Sequence, residues 1–291
     1  MVFAHLQRYI RVAGCVLCLL LLVVTDAQQA SAASLTVNAT SPYVVADGVC
    51  SLIEAIANAN DDAQTHADCP AGNGADTITL SENVTLDGTD VFSAFGASGL
   101  PALTSDMTIQ GNNRTIERDS SAPAFRLLTV GDGATVTVEN LTVRNGLLTG
   151  GFDNGGGIYN AGNLTVINTT LEDNRVEAIF PSGGGIYNRS NGTLTVIDSL
   201  IQNNVVDDPD SVFDDGGGIY AQGPLVMLNS VITGNRAAES AGGVYAASDT
   251  TIVNTVISNN IAAENGGGMV AVGGAATGVH RIYNTTFSNN T

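Results

Sequence analysis

The chain has 291 residues, of which 44% are hydrophobic, with 34 glycines, 8 phenylalanines and no tryptophan. All 10 basic residues are arginines, and 28 aspartates and glutamates bring the net charge to -18 at pH 7. So acidic a surface repels phosphodiester backbones and anionic headgroups, which excludes nucleic acid and an anionic membrane surface as expected partners.

Residues 1–32 read as a signal peptide. Arg8 and Arg11 form a positive start, Val12 to Val24 is an apolar run, and Ala30-Ser31-Ala32 is a small-residue cleavage site. The run is shorter than the roughly 20 residues of a spanning helix, so cleavage is expected over an uncleaved anchor. Cleavage discards Cys15 and Cys18 and leaves Cys50 and Cys69, an even pair expected to form a disulfide in an exported chain. Leu35-Thr36-Val37 reads as a strand. Ser51 to Asn60 reads as a helix, with Ser51 and Glu54 as its capping box and Leu52, Ile53 and Ile56 as its apolar face. Residues 33–75 are therefore expected to cap the first strand edge of the repeats that begin at residue 76.

From residue 76 to 291 the chain repeats itself. Gly155-Gly156-Gly157-Ile158-Tyr159 returns at Gly183 to Tyr187, at Gly216 to Tyr220, as Ala241-Gly242-Gly243-Val244-Tyr245, and as Gly266-Gly267-Gly268-Met269-Val270. Each copy is followed by a β-prone run, an Asn or Asp, and a second run closing on Asn. Asn168, Asp198, Asn229, Asn254 and Asn284 form the first polar column. The second closes the units at Asn174, Asn204, Asn235, Asn260 and Asn290. The runs alternate with period 2 and are too short and too glycine-interrupted for helices. A constant cross-section with connections of variable length is a solenoid. The expected fold is all-β, a right-handed parallel β-helix with a short N-terminal capping strand and helix. Ile158, Ile186, Ile219, Val244 and Met269 form one inward column, and Leu171, Ile201, Ile232, Ile257 and Phe287 another. The first polar column is expected at the corners, as a ladder of amides bonded from turn to turn, because Asn tolerates left-handed backbone there. The sequence stops at Phe287-Ser288-Asn289-Asn290-Thr291, within a unit. The expectation is a longer polypeptide, the alternative being an open end covered by another molecule, such as a second copy associating end to end.

Cys50-Ser51-Leu52-Ile53-Glu54-Ala55-Ile56, with Ala59-Asn60 and Gly74-Ala75-Asp76-Thr77-Ile78 after it, resembles the CSLREA domain of exported bacterial β-helix proteins. Ile53 stands where that motif has Arg. The repeats are similar to the GGAI or GGAL and FxxN repeats of chlamydial polymorphic outer-membrane proteins. Phe287-Ser288-Asn289-Asn290 matches FxxN, while the other copies put Leu or Ile in place of Phe. The resemblance covers about residues 35–291. It implies a bacterial extracellular or cell-surface protein, with the outer membrane as one location and adhesion as a role.

Three kinds of chemistry are open to such a chain. The first is catalysis, since β-helices also carry polysaccharide lyases and glycoside hydrolases. Hydrolysis needs paired carboxylates at one level of a groove; Asp173 and Asp198 are candidate members, but no set recurs on adjacent turns. No catalytic residue is assigned. The second is metal. Asp207, Asp208, Asp210, Asp214 and Asp215 cluster before Gly216 and offer oxygen ligands suited to Ca²⁺, although a solvated acidic loop explains them as well. No other cofactor is expected. The third is a binding face. Tyr159, Tyr187, Tyr220 and Tyr245 each follow an inward residue, so they point outward and stack along one side. There they either touch a glycan or protein on another surface or simply shield the sheet. A repetitive surface suits multivalent adhesion, and the expected function is a non-catalytic adhesin-like binding or structural protein.

Overall fold

The computed structural model describes residues 32–89, 91–93, 96–151, 153–207, 215–273 and 278–291. The leader read from residues 1–32 lies outside the described residues except for Ala32.

Alternating apolar and polar residues make short strands, and each strand buries one side. One coil runs through Ile158–Asn160, Asn163–Ile167, Thr170–Glu172 and Arg175–Val176. Every strand of it pairs in parallel with its equivalents in the neighbouring coils. Ile158 lies between Leu128 and Ile186, Leu164 between Val136 and Leu194, and Leu171 between Val143 and Ile201. Val176 lies between Leu148 and Val206. The walls so formed are a six-stranded sheet, a five-stranded sheet and a 15-stranded sheet whose two arms meet at Thr135–Arg144. Ile186 stands over Ile219 and Ile219 over Val244. All four inward residues from Ile158 to Val244 are fully buried. This is the parallel β-helix expected from the repeats.

The corners explain the asparagines and glycines. The first corner uses left-handed backbone at Asn140, Asn168, Asp198, Asn229, Asn254 and Asn284, with φ between 45° and 53°. The second uses Asn145, Asp173, Asn203, Gly234, Asn259 and Asn289, and the third Gly155, Gly183, Gly216, Ala241 and Gly266. A left-handed residue costs most side chains roughly 1–2 kcal/mol, and Asn, Asp and Gly least. The next glycine serves closeness instead: a Cβ on Gly217 would lie 2.3 Å from the Arg236 carbonyl oxygen.

The buried ladder is not the column expected from the sequence. Asn168, Asp198, Asn229, Asn254 and Asn284 are exposed, because a left-handed corner turns its side chain outward. Their amides bond partway along the surface, Asn168 to Asn140 at 2.6 Å and Asn284 to Asn254 at 2.7 Å. Asp198, a carboxylate with no amide hydrogen to donate, interrupts them. The buried ladder is the closing column, whose members from Asn174 to Asn260 have no exposed surface. The Nδ2 of Asn204 donates to Oδ1 of Asn235 at 3.0 Å and to the carbonyl of Leu171 at 3.0 Å. Its own Oδ1 accepts from Nδ2 and the backbone N–H of Asn174. Asn235 and Asn260 repeat the pattern. In the buried ladder the earlier coil donates to the later one, and on the surface the later donates to the earlier. A buried hydroxyl column lies just after the first corner: Thr169 N–H donates to Ser199 Oγ at 3.2 Å, and Ser199 N–H to Ser230 Oγ at 3.2 Å.

The N-terminal cap covers the first coil. Ser34–Val37 pairs in parallel with Asp76–Leu80, and the helix Leu52–Asp61 has the expected capping box between Ser51 and Glu54. Cys50 and Cys69 are joined. Buried Asn58 ties down the loop after the helix, donating to the carbonyls of His66 and Pro70, each at 2.9 Å. Between cap and regular coils lie the 12-residue strand Met107–Arg118, in which Ile109 stacks between Ile78 and Val138, and an antiparallel pairing of Val91–Ser93 with Gly96–Ser98.

The two asparagine columns should differ in their worth to stability. Asn204→Leu strands the amide groups of Asn174 inside the core and is expected to cost at least about 3 kcal/mol. Asn168→Gly, at an exposed left-handed corner, should stay within about 0.5 kcal/mol of the parent. Urea midpoints measure both, and equal losses would remove the ladder from the account of stability. The disulfide closes a separation of 19 residues, so the Cys50→Ser, Cys69→Ser variant should lose roughly 3 kcal/mol. Amide exchange should then quicken in Leu52–Asp61 before it does in Ile186–Asn188.

Candidate functional site

The tyrosines are carried on the outer side of the six-stranded sheet, one per coil and in register. Tyr159 and Tyr187 have ring centroids 5.3 Å apart, Tyr187 and Tyr220 5.4 Å, and Tyr220 and Tyr245 4.7 Å. The planes diverge by 18° at most. Below the column the Arg126 guanidinium lies 5.0 Å from the Tyr159 ring centroid, a cation–π arrangement. Arg126 is fully buried, and burial brings its pKa down to about 10, opposed by the charge of Asp153, whose carboxylate is 3.8 Å away. In the coil above Tyr245 the position passes to Val270.

This packing changes what the column offers. The ring faces lie against one another, so the interior rings cannot take the flat side of a sugar. Tyr187 is only 9% exposed, while Tyr159, Tyr220 and Tyr245 are half-buried. What remains is a row of ring edges and phenol hydroxyls. Burial raises the pKa of all four phenols, that of Tyr187 to about 12. They therefore stay protonated hydrogen-bond donors well past neutrality.

Loops turn the upper three rings into the floor of a groove of about 280 Å³. It is lined by Tyr187, Tyr220 and Tyr245 together with Asn154, Phe180, Ser182, Asp215 and Gln222. Gln222 works against the rise in the Tyr220 pKa that burial causes. Phe180 is 46% exposed and has a φ of 54°, a left-handed backbone that is a true outlier for so bulky a side chain.

The acidic candidates separate. Asp207 accepts from Arg175 at 3.2 Å and from Arg236 at 3.0 Å, so two guanidiniums already neutralise it. Asp215 bridges the backbones of Ser182 and Ser240, lines the groove, and helps to raise the phenols of Tyr220 and Tyr245. Asp208, Asp210 and Asp214 lie outside the described residues. Among the described residues no three His, Cys, Asp or Glu side chains converge as a metal site would require. Asp173 and Asp198 occupy different corners of successive coils. Burial and the neighbouring Glu172 raise the pKa of Asp173. Glu172 itself accepts from Gln202 at 2.8 Å and belongs to a surface row with Arg144 and Glu117.

Sequence reasoning found the tyrosines but missed Asn154, Phe180 and Gln222. The segment Phe180-Pro181-Ser182 was a usable signal, since it interrupts the repeat just before a glycine corner.

Residues 126–291 match the family described as the right handed beta helix region. The match spans more than half of the chain and covers the coils in which the strands stack in register, and the chain belongs to that family. Comparison with curated proteins finds no match, and comparison with solved structures finds none.

The raised phenols can be titrated. Free tyrosine ionises near pH 10, whereas the column should hold its protons there, and Tyr187 should titrate near 12. Phenolate absorbance measures this. The folded state favours the neutral phenol, so the column's contribution is complete below pH 10 and lost as pH climbs through the folded values. The unfolding midpoint should fall over that window.

Proposed function

We propose that this protein is an exported, non-catalytic, adhesin-like binding protein, held at the cell surface or released outside the cell. The observation that carries the reading is the register of the outward residues. A tyrosine recurs at the same outward position in four successive coils, which multiplies one weak contact along a rigid rod. Loops of unequal length border that row and would select the partner, a glycan or protein on another surface. The resemblance of residues 50–78 to the CSLREA domain, and of the repeats to those of chlamydial polymorphic outer-membrane proteins, supports export and a bacterial surface, the outer membrane included.

The competing reading is a polysaccharide lyase or glycoside hydrolase. One observation speaks for it: Asp173 has a raised pKa beside Glu172, as a general acid beside a second carboxylate would have. The arrangement of Glu172 within the Arg144 and Gln202 row speaks against it, because those bonds hold its carboxylate in a structural role.

Purified mature protein incubated with acidic and neutral polysaccharides separates the two. Retention on cells or glycans without new unsaturated or reducing ends is the expected result. Release of such ends, abolished by Asp173→Asn, would replace the adhesin with an enzyme. Repeating the retention assay in a chelator tests the calcium proposed for the acidic segment that begins at Asp207.

A further inference from the structure

The geometry points to the groove above Tyr187, Tyr220 and Tyr245 as a binding site for a neutral oligosaccharide lying along the rod axis. The inference rests on the adhesin reading and deepens it by naming the ligand chemistry.

Three phenols on the floor of the groove and the carboxamides of Asn154 and Gln222 on its walls both donate and accept hydrogen bonds. A ligand that satisfies such a surface must carry many hydroxyls rather than a few polar atoms on an apolar body. The sign of charge narrows it further. Among the described residues the lining holds the carboxylate of Asp215 and no Arg or His; Arg189 acts on Tyr187 from outside that lining, in a chain of net charge -18. Uronates, sulfated sugars and phosphates are therefore repelled.

Shape narrows it again. At about 280 Å³, the groove falls just below the roughly 300–1,000 Å³ of small-molecule sites. It receives one segment of a chain rather than a folded partner. Its floor repeats every 5.4 or 4.7 Å between ring centroids, so an extended ligand along the axis meets equivalent groups at each coil. The stacked tyrosines cannot supply a flat apolar platform, because their faces are in use. The exposed aromatic at the rim, Phe180, is held in a left-handed backbone at the edge of this groove. Strain of that kind persists where surrounding structure enforces it and clusters at ligand sites. A proline-rich peptide also docks on aromatic grooves, but it presents few hydroxyls to the phenols along the floor.

The test is calorimetric titration of the full mature chain with tetrasaccharides of glucose, mannose and N-acetylglucosamine. Polygalacturonate and a proline-rich peptide serve as contrasts. Tyr220→Phe keeps the ring stack and removes one hydroxyl, and Gln222→Ala removes one carboxamide. Each is expected to weaken the best neutral sugar about 3- to 10-fold, with the far-ultraviolet spectrum and unfolding midpoint unchanged. Binding of polygalacturonate or the peptide in preference to every neutral sugar overturns the inference. So does binding of no sugar at all, or equal affinity in both variants and the parent. Cell retention measured in parallel separates the two levels. Parent-like retention by both variants removes the groove and leaves the adhesin, whereas a parent chain that fails to adhere removes the adhesin itself.

Discussion

The solenoid depends on one interaction above the others, the amide–amide bond between asparagines one coil apart. Asn204, Asn235 and Asn260 each satisfy four partners: a carbonyl of the coil before, an amide oxygen of the coil after, and two donors of the preceding asparagine. A slip of one residue would bring a neighbour such as Arg175, Val205, Arg236 or Ile261 to that point and leave buried amide groups unpaired in the core, where each costs about 1–3 kcal/mol. Strand pairing opposes the same slip, because a shift of one residue turns every inward side chain outward, and the ladder adds its own bonds to that. Together they fix the layer-to-layer alignment on which the aliphatic columns and the tyrosine stack depend.

Much of this was legible in residue order. The period-2 alternation placed Ile158 over Ile186 over Ile219, and the pairing is as expected. Ser51 and Glu54 announced their helix, and Cys50 and Cys69 their bond. The expected column does bond from coil to coil at Asn168, Asn254 and Asn284, but it is not the buried one, for a physical reason. Both columns are asparagine-rich, and residue type does not tell a side chain turned out at a left-handed corner from one turned in just after it. The doublets carried the distinction. At Asn168-Thr169, Asp198-Ser199 and Asn229-Ser230 the first residue makes the corner and the second enters the core. At Asp173-Asn174, Asn203-Asn204 and Gly234-Asn235 the same order puts asparagine inside. Reading pairs rather than single positions would have assigned both.

The groove was less legible because its walls come from the connections between coils, which obey no repeat. Tyr187, Tyr220 and Tyr245 belong to the periodic part and were found, while Asn154, Phe180 and Gln222 sit in turns whose length and composition change from coil to coil. The tyrosines point outward and stack as their spacing implies, and the short layer spacing presses each ring against the next, so that the row offers ring edges and hydroxyls.

The opposed direction of the two amide rows has an electrical consequence. In the buried row every amide group hands its hydrogen toward the later coil, from Asn174 through Asn260. On the exposed corner Asn168, Asn254 and Asn284 hand theirs toward the earlier coil. Aligned amides add their dipoles head to tail, as they do in a helix, and bonded chains of them polarise one another. Two rows running against each other cancel much of that sum. Lengthening the rod by further coils would therefore leave its two ends at nearly the same potential, so that growth meets no mounting electrostatic penalty from this source.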